Sequence, residues 1–266
     1  MHDVCLILEG TYPYVPGGVS TWVHHLVSSL PDISFTAVSI VPSSETKLEM
    51  HYKTPPNFDM SVFPLHDACG LESPAQGVRR MGQAPAVDGA AMWHKMGFPD
   101  RAKSFGAMLR KFDASGGFDP KVPMFGKEAF DHMRGMYSER CPHASFLDYF
   151  WTFRFTHLPL FRSMALKVPP ARVYHTISTG YAGMIASAAS LRTGRPMIVT
   201  EHGIYTKERK IEIAQAKWIQ ACGGMRISVE EDLGVFKDIW MRLFDTLSRV
   251  TYDAAWRIVT LYEGNR

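Results

Sequence analysis

Two kinds of hydrophobic pattern alternate at the start of the chain. Val4–Leu8 is a continuous apolar run, which is typical of a central parallel strand covered on both faces. A loop with prolines and glycines follows, and apolar residues then recur at helical spacing over Val19–Leu30, which predicts an amphipathic helix. Ser34–Val41 predicts a second strand. This order is the βαβ start of a doubly wound sheet.

The same alternation returns in the C-terminal part of the chain. A capping-box sequence, Ser228–Glu231, opens the longest of the helices predicted there. Together with the opening βαβ pattern, this alternation predicts an α/β fold with a Rossmann-like, doubly wound parallel sheet. The other predicted elements are strand Ala171–Thr176, helix Tyr181–Arg192, strand Met197–Thr200, helix Thr206–Gln220 and strand Arg257–Leu261.

The pattern is weaker between these two parts, after a short predicted strand at Phe58–Phe63. This stretch is too hydrophobic for a disordered linker. We therefore expect a helical insertion at about 67–158 inside a single domain that spans 1–266. The predicted helical pieces within it are Ala91–Lys95, Arg101–Phe112, Lys127–Arg140 and Ala144–Arg154.

The composition is that of a folded protein, since 46% of the 266 residues are hydrophobic and 21% are charged. The net charge is only +3 and no basic run stands out, so the charge gives nucleic-acid binding no support. No stretch approaches the ~20 consecutive apolar residues that a membrane-spanning helix needs. The four cysteines are scattered singly and the N-terminus lacks the pattern of a signal peptide. We expect a cytoplasmic protein.

A metal site is not expected. The eleven histidines form neither H-x-x-x-H nor H-E-x-x-H, and the neighbours His24 and His25 point in different directions on a helix. The chain also lacks a D-x-D sequence, which a metal-dependent sugar-nucleotide site could show.

The first polar cluster follows the first strand and extends from Glu9 to Ser20. Gly17 and Gly18 would let the backbone approach a phosphate, and the helix that follows offers free N–H groups. The alternative is a tight turn with Ser20 as the N-cap of the helix. The loop is neither G-x-G-x-x-G nor a P-loop, so a standard dinucleotide or P-loop site is disfavoured.

The second polar cluster, Thr200–Arg209, follows a later strand. His202 is placed to hydrogen-bond a ligand hydroxyl, although a histidine satisfied by local backbone is the commoner case. Lys207 and Arg209 could neutralise a phosphate, or could simply be solvated on a helix face. Ligands of open α/β sheets bind beyond the carboxyl ends of the strands, where both clusters fall.

The segments Asp3–His24 and Thr200–Arg209 together resemble the two signatures of PelF-type glycosyltransferases. These are retaining family 4 enzymes of GT-B fold, associated with Pel-type exopolysaccharide synthesis. The resemblance implies transfer of glucose from UDP-glucose to a growing polysaccharide. It implies no metal and no cofactor besides the UDP-sugar, and it allows partner proteins of polysaccharide synthesis at the inner membrane.

The resemblance also implies roles for residues of both clusters. The donor phosphate and sugar would be contacted by Gly17, Gly18, Val19, Ser20 and His202. The acceptor or other parts of the substrate would be contacted by Glu9, Tyr12, Tyr14, Glu201, Tyr205, Lys207 and Arg209. No catalytic residue is assigned.

The family's C-terminal domain carries most of the UDP site, including a Glu-x7-Glu motif, and this sequence reaches Arg266 without it. We therefore expect the N-terminal, acceptor-side domain of a GT-B enzyme, inactive alone because the cationic clamp on the diphosphate is missing. Two alternatives are a non-catalytic binding module in a polysaccharide-synthesis assembly and a truncated product. A sugar-nucleotide epimerase or dehydrogenase is the weakest alternative, since the dinucleotide fingerprint is absent.

Overall fold

The computed structural model of the protein describes residues 1–67, 101–114, 124–125, 127–216 and 230–265. Two of the sequence predictions, the helical piece Ala91–Lys95 and the capping box at Ser228, lie outside these residues. Contact clustering divides the chain into two compact units. The first comprises 1–68, 166–205 and 247–266, and the second 69–165 and 206–246. The single domain with an insertion stays a prediction.

In the described ranges, six strands of the first unit form one parallel sheet, in the order β3-β2-β1-β4-β5-β6. This order confirms the predicted Rossmann-like, doubly wound sheet. The strands are β1 (His2–Glu9), β2 (Phe35–Val41), β3 (Phe58–Pro64), β4 (Ala171–Thr176), β5 (Met197–Glu201) and β6 (Arg257–Thr260).

The described residues form seven α-helices and one short 3₁₀ turn, Glu263–Asn265. The helices are α1 (Gly18–Ser29), α2 (Arg101–Ala114), α3 (Lys127–Arg140), α4 (Phe146–Ala165), α5 (Tyr181–Thr193), α6 (Tyr205–Gln215) and α7 (Glu230–Ala254).

Two predicted helix ends are wrong. The helix predicted to end at Arg154 continues to Ala165 and contains Pro159. Proline removes one helix hydrogen bond, but most residues from Thr152 onward in α4 are buried, and this burial outweighs the local loss. The helix predicted to reach Gln220 ends at Gln215.

The core of the first unit lies where α1 packs against β1 and β2. Leu6 and Leu8 point to one face of the sheet and meet Val23 and Val27 of α1, and all four side chains are fully buried. Burial of side chains of this size stabilises the fold by about 1.5–3 kcal/mol each. Cys5, on the opposite face, is equally buried.

α5 lies in contact with β1, β4 and β5, and its first ten residues are all buried. Its small residues permit close packing. A Cβ atom on Gly183 would come within 2.5 Å of Thr251 Oγ1 and 2.8 Å of the Ser178 carbonyl oxygen. The helix ends at Thr193 and Gly194 is its C-cap, which has φ +68° and donates its N–H to the Ser190 carbonyl.

Candidate functional site

The site is created by the strand order of the first unit. The chain proceeds outward from β1 through β2 to β3, and then returns to β4 on the other side of β1. At such a switch point the connections leave in opposite directions and open a crevice beyond the carboxyl ends of the two central strands. Glu9 ends β1, and Ser178 and Gly180 follow β4. β5, the neighbour of β4, ends at Glu201.

The Glu9 carboxylate accepts hydrogen bonds from three elements of the first unit. Oε2 accepts from the Ser178 hydroxyl at 3.3 Å and from the backbone N–H of Ala182 at 3.4 Å. Oε1 accepts from the Tyr205 hydroxyl at 3.2 Å. Glu9 is only partly buried, so it joins the crevice wall without being sealed from ligand.

Gly180 makes this arrangement possible. A Cβ atom at this position would lie 2.2 Å from the Tyr205 hydroxyl oxygen and 2.8 Å from Glu9 Oε2. Any side chain at position 180 would therefore push the tyrosine and the carboxylate away from the start of α5.

A second glutamate ends β5. Glu201 is buried, with 8% of its surface exposed, and its Oε1 accepts a short hydrogen bond from the Tyr252 hydroxyl near the end of α7. Burial first, and then the Glu201 carboxylate, raise the pKa of Tyr252 above its usual range. The phenol thus stays protonated and remains a donor to Glu201.

Two imidazoles lie at the same edge of the sheet. His175 Nε2 lies 2.8 Å from the Thr200 hydroxyl, and burial lowers the pKa of His175 to about 4. Burial also lowers the pKa of His202. Trp22 packs edge-on against both rings, with centroid distances of 4.9 Å to His202 and 6.0 Å to His175. At neutral pH both imidazoles are therefore uncharged and can either donate or accept a hydrogen bond.

Nε2 of His202 is the polar atom of this group most suited to a ligand. It is buried, and no residue in the described part of the chain hydrogen-bonds it. A buried polar atom without a partner is costly, and a ligand hydroxyl would satisfy it.

The helix that follows the predicted phosphate-binding loop begins earlier than an N-cap at Ser20 implies. α1 begins at Gly18 with Gly17 as its N-cap, so Ser20 is the third helical residue and the N-cap assignment to Ser20 is wrong. The helix thus begins one residue before Val19, where its helical pattern of apolar residues starts. Gly17 and Gly18 are exposed, Val19 is partly buried and Ser20 is buried. The Gly17 N–H donates to the Tyr52 hydroxyl at 3.4 Å.

Two other predicted substrate contacts lie in the packing around α1. Tyr12 is fully buried, its hydroxyl lies 3.3 Å from His24 Nδ1, and burial raises its pKa to about 12. The Tyr14 hydroxyl donates to Met60 Sδ at 3.7 Å. A contact of either tyrosine with substrate stays a prediction.

Lys207 and Arg209 belong to the second unit. Lys207 is exposed, and Arg209 forms an ion pair with Glu212 at 2.8 Å, one helical turn further along α6. Such an exposed pair contributes about 0–1 kcal/mol.

The structure therefore brings Glu9 and Tyr205 into contact, and places Glu201 and His202 at the end of β5, which β4 separates from β1. Sequence reasoning missed their partners Trp22, His175, Ser178, Gly180 and Tyr252. His175, Ser178 and Gly180 carried a positional signal, since they lie at or just after the end of a predicted strand, where ligand-binding residues of α/β sheets collect. Trp22 and Tyr252 carried none.

Within the described ranges no group of three or more His, Cys, Asp or Glu side chains could hold a metal ion. In the same ranges, no helix combines the length and the apolarity that a membrane crossing requires.

Comparison with protein families matches residues 2–266 to a family described as "Domain of unknown function (DUF3492)". Neither the curated proteins nor the solved structures gave a match. The family is associated with glycosyltransferases. Because the match extends over the chain from its second residue to its last, this protein belongs to the DUF3492 family.

Proposed function

We propose that the chain is the N-terminal, acceptor-side domain of a retaining glycosyltransferase of GT-B fold. The donor of the complete enzyme is UDP-glucose, and the acceptor is a growing exopolysaccharide of the Pel type. The enzyme works in the cytoplasm, alongside other polysaccharide-synthesis proteins at the inner membrane. Membership of a glycosyltransferase-associated family and a Rossmann-like sheet support this proposal.

The observation that carries the proposal is the set of neutral and anionic hydrogen-bonding groups at the switch point. Glu9 and Tyr205 are joined there by a hydrogen bond, and His202 lies against Trp22. Carboxylates, phenols and neutral imidazoles suit hydroxyl recognition, because each can complement a sugar O–H as acceptor or donor. An indole supplies the apolar surface on which the C–H face of a sugar can rest.

In this proposal the donor lies along the exposed Gly17–Gly18 turn, with Val19 and Ser20 behind it. His202 lies where the donor sugar meets the acceptor, so it contacts both saccharides. Departure of the UDP diphosphate requires electrostatic stabilisation in the transition state. The groups placed at the switch point are acidic or uncharged, which suits an acceptor better than a leaving diphosphate. We therefore propose that this chain alone does not turn over UDP-glucose, and that no metal takes part.

The alternative function is a non-catalytic saccharide-binding module of a polysaccharide-synthesis assembly. The same groups support it, because hydroxyl recognition at the switch point requires no chemistry.

The test combines a binding and a turnover measurement on the 266-residue chain. Calorimetric titration with cellotriose and maltotriose measures saccharide binding, and a coupled assay measures UDP release from UDP-glucose with and without each trisaccharide. We expect binding without UDP release. Absence of saccharide binding overturns the acceptor-side assignment. UDP release by the chain alone overturns its proposed incompleteness while supporting a transferase.

The same two measurements on the protein encoded by the complete reading frame separate the enzyme from the binding module. UDP release that requires the trisaccharide supports the transferase. Binding without UDP release supports the module.

A further inference from the structure

The N-terminus of α5 is capped by a side chain from β1, a strand that is distant in sequence. The helix has Gly180 at its N-cap position and no side-chain cap of its own. The first N–H groups of a helix have no partner within it and carry the positive end of the helix dipole. Here the Ala182 N–H donates to Glu9 Oε2, and the Ser178 hydroxyl donates to the same oxygen.

This position is where an α/β sheet ordinarily holds a ligand anion. The helix that follows a central strand at the switch point presents its N–H groups to phosphate. In this chain the Glu9 carboxylate of β1 occupies that place, and the Tyr205 hydroxyl donates to its other oxygen. Gly180 completes the arrangement, since a Cβ atom there would lie 2.8 Å from Glu9 Oε2 and 2.2 Å from the Tyr205 hydroxyl.

We propose that Glu9 is a specificity-determining residue: its carboxylate acts as a built-in anion at the start of α5, which excludes phosphate-bearing ligands from the switch-point crevice and reserves the crevice for neutral, hydroxyl-bearing ones. The inference rests on the proposed function for the identity of the neutral ligand, a saccharide acceptor, but not for the exclusion of anions.

The exclusion follows from simple electrostatics. A second anion at the start of α5 would lie within a few ångströms of the Glu9 carboxylate, where like charges repel strongly because the partly buried site is poorly screened. A sugar hydroxyl meets no such penalty, because it can donate to a carboxylate lone pair. The diphosphate of a nucleotide sugar must therefore lie elsewhere, and a phosphorylated sugar is a poor acceptor.

The experiment removes the built-in anion and tests whether a free one replaces it. In Glu9→Ala the Ala182 N–H, the Ser178 hydroxyl and the Tyr205 hydroxyl lose their shared acceptor, which leaves an anion site. Inorganic phosphate is titrated into the labelled 266-residue chain while the amide resonances of Ser178 and Ala182 are followed by NMR. We expect saturable shifts in Glu9→Ala, and a phosphate affinity at least about tenfold higher than that of the wild type.

Asp3→Ala is the matched control. Asp3 also belongs to β1, and its Oδ2 accepts from the backbone N–H of Ser34 at 3.0 Å and from the Ser34 hydroxyl at 2.6 Å. The variant loses one carboxylate, its hydrogen bonds to Ser34 and an ion pair with the exposed Arg172 at 3.4 Å, but it opens no helix N-terminus. We expect phosphate to shift the Ser178 and Ala182 amides of Asp3→Ala no more than those of the wild type.

Glu9→Gln keeps the volume of the side chain and removes only its charge, so it decides the question if Glu9→Ala does not fold. We expect its phosphate affinity to exceed that of the wild type and to remain below that of a folded Glu9→Ala. Unchanged Ala182 and Ser178 amides in the folded variants, or equal phosphate binding by the wild type, overturn the proposal.

The result is independent of the proposed function. Phosphate binding gained by the variants, with no saccharide binding by the wild type, would uphold the role of Glu9 and reject the saccharide acceptor. Saccharide binding by the wild type, with no phosphate gain in the variants, would do the reverse.

Discussion

The ends of β1 and β5 carry the same residue with different surroundings. Glu9 and Glu201 each end a parallel strand of one sheet, and each accepts a hydrogen bond from a tyrosine hydroxyl. Glu201 is buried and receives its tyrosine from α7. Glu9 is partly exposed and also accepts from the Ala182 N–H in the first turn of α5.

From this difference we predict a structural role for the Glu201 carboxylate and ligand access to the Glu9 carboxylate. Glu201 joins β5 to the end of α7 within the first unit, and its burial leaves little surface for a ligand. Glu9 lies at the switch point between β1 and β4, where the strand order opens the crevice. Residue type and position at a strand end are thus insufficient to assign a role, and the donors around each carboxylate decide it.

The test with the largest expected effect removes each of the two carboxylates in turn. Glu201→Ala removes a buried carboxylate and leaves the half-buried Tyr252 hydroxyl without this acceptor, and we expect a loss of about 2 kcal/mol in the free energy of unfolding. Glu9→Ala exposes its donors to water, so we expect a loss of about 1 kcal/mol. Urea unfolding followed by circular dichroism measures both.

Gln variants at both positions are the controls, since they keep an acceptor for each tyrosine. We expect each to lose less stability than the corresponding Ala variant. Equal losses in Glu9→Ala and Glu201→Ala would mean that the two carboxylates are equivalent structural groups.

The strands were predictable because local sequence determines them. The continuous apolar runs Val4–Leu8 of β1 and Met197–Val199 of β5 require cover on both faces, which the interior of a parallel sheet provides. The helix end at Arg154 was wrong for the opposite reason. The residues that continue α4 through Pro159 gain their stability from tertiary burial, which overrides the local signal of proline.

The candidate site was predictable only in part. Glu9, His202 and Tyr205 follow strands, so the rule for α/β sheets selects them. Their partners are set by long-range contacts: Glu9 and Tyr205 are 196 residues apart, and Glu9 and Ser178 are 169 apart. No local pattern encodes which donors reach a carboxylate at such separations. The role of Gly180 likewise has no local signal, because it depends on Tyr205 lying above it.

The second test measures how the free energy of unfolding depends on pH. It concerns His175 of β4, the strand between β1 and β5. Burial lowers the pKa of His175 from 6.5 to about 4, so the unfolded chain binds a proton more readily than the folded one. Stability from this histidine is therefore complete above pH 6.5 and is lost as the pH falls toward 4. Between pH 6.5 and 5 we expect His175 to account for a loss of about 2 kcal/mol.

His175→Gln isolates that contribution, because it keeps a polar partner for Thr200 without a titrating group. Unfolding free energies of the wild type and the variant are compared from pH 7.5 to 5. We expect a loss smaller by about 2 kcal/mol in the variant. His157, which burial also gives a pKa of about 4, titrates in both proteins and cancels in the difference. Parallel pH profiles would show that His175 does not protonate on unfolding.

We expect the smallest change in stability at His202. There the effect on saccharide affinity should far exceed the effect on the free energy of unfolding. Its Nε2 atom has no hydrogen-bond partner in the described part of the chain, so His202→Ala removes an unsatisfied polar atom together with the edge-on contact to Trp22. These two effects oppose each other, and we expect a change of about 0.5 kcal/mol in the free energy of unfolding. Saccharide affinity, in contrast, should fall about tenfold, because the ligand loses one hydrogen bond in a largely desolvated position.

His25→Ala is the control for His202→Ala, since His25 is an exposed histidine of α1 in the same unit. Calorimetric titration with the trisaccharide that the wild type binds should give wild-type affinity for His25→Ala and weakened affinity for His202→Ala. If His202→Ala binds as the wild type does but unfolds much more readily, the imidazole belongs with Glu201 as a structural group. The ligand-accessible part of the sheet edge would then be confined to Glu9, since Tyr205 is buried.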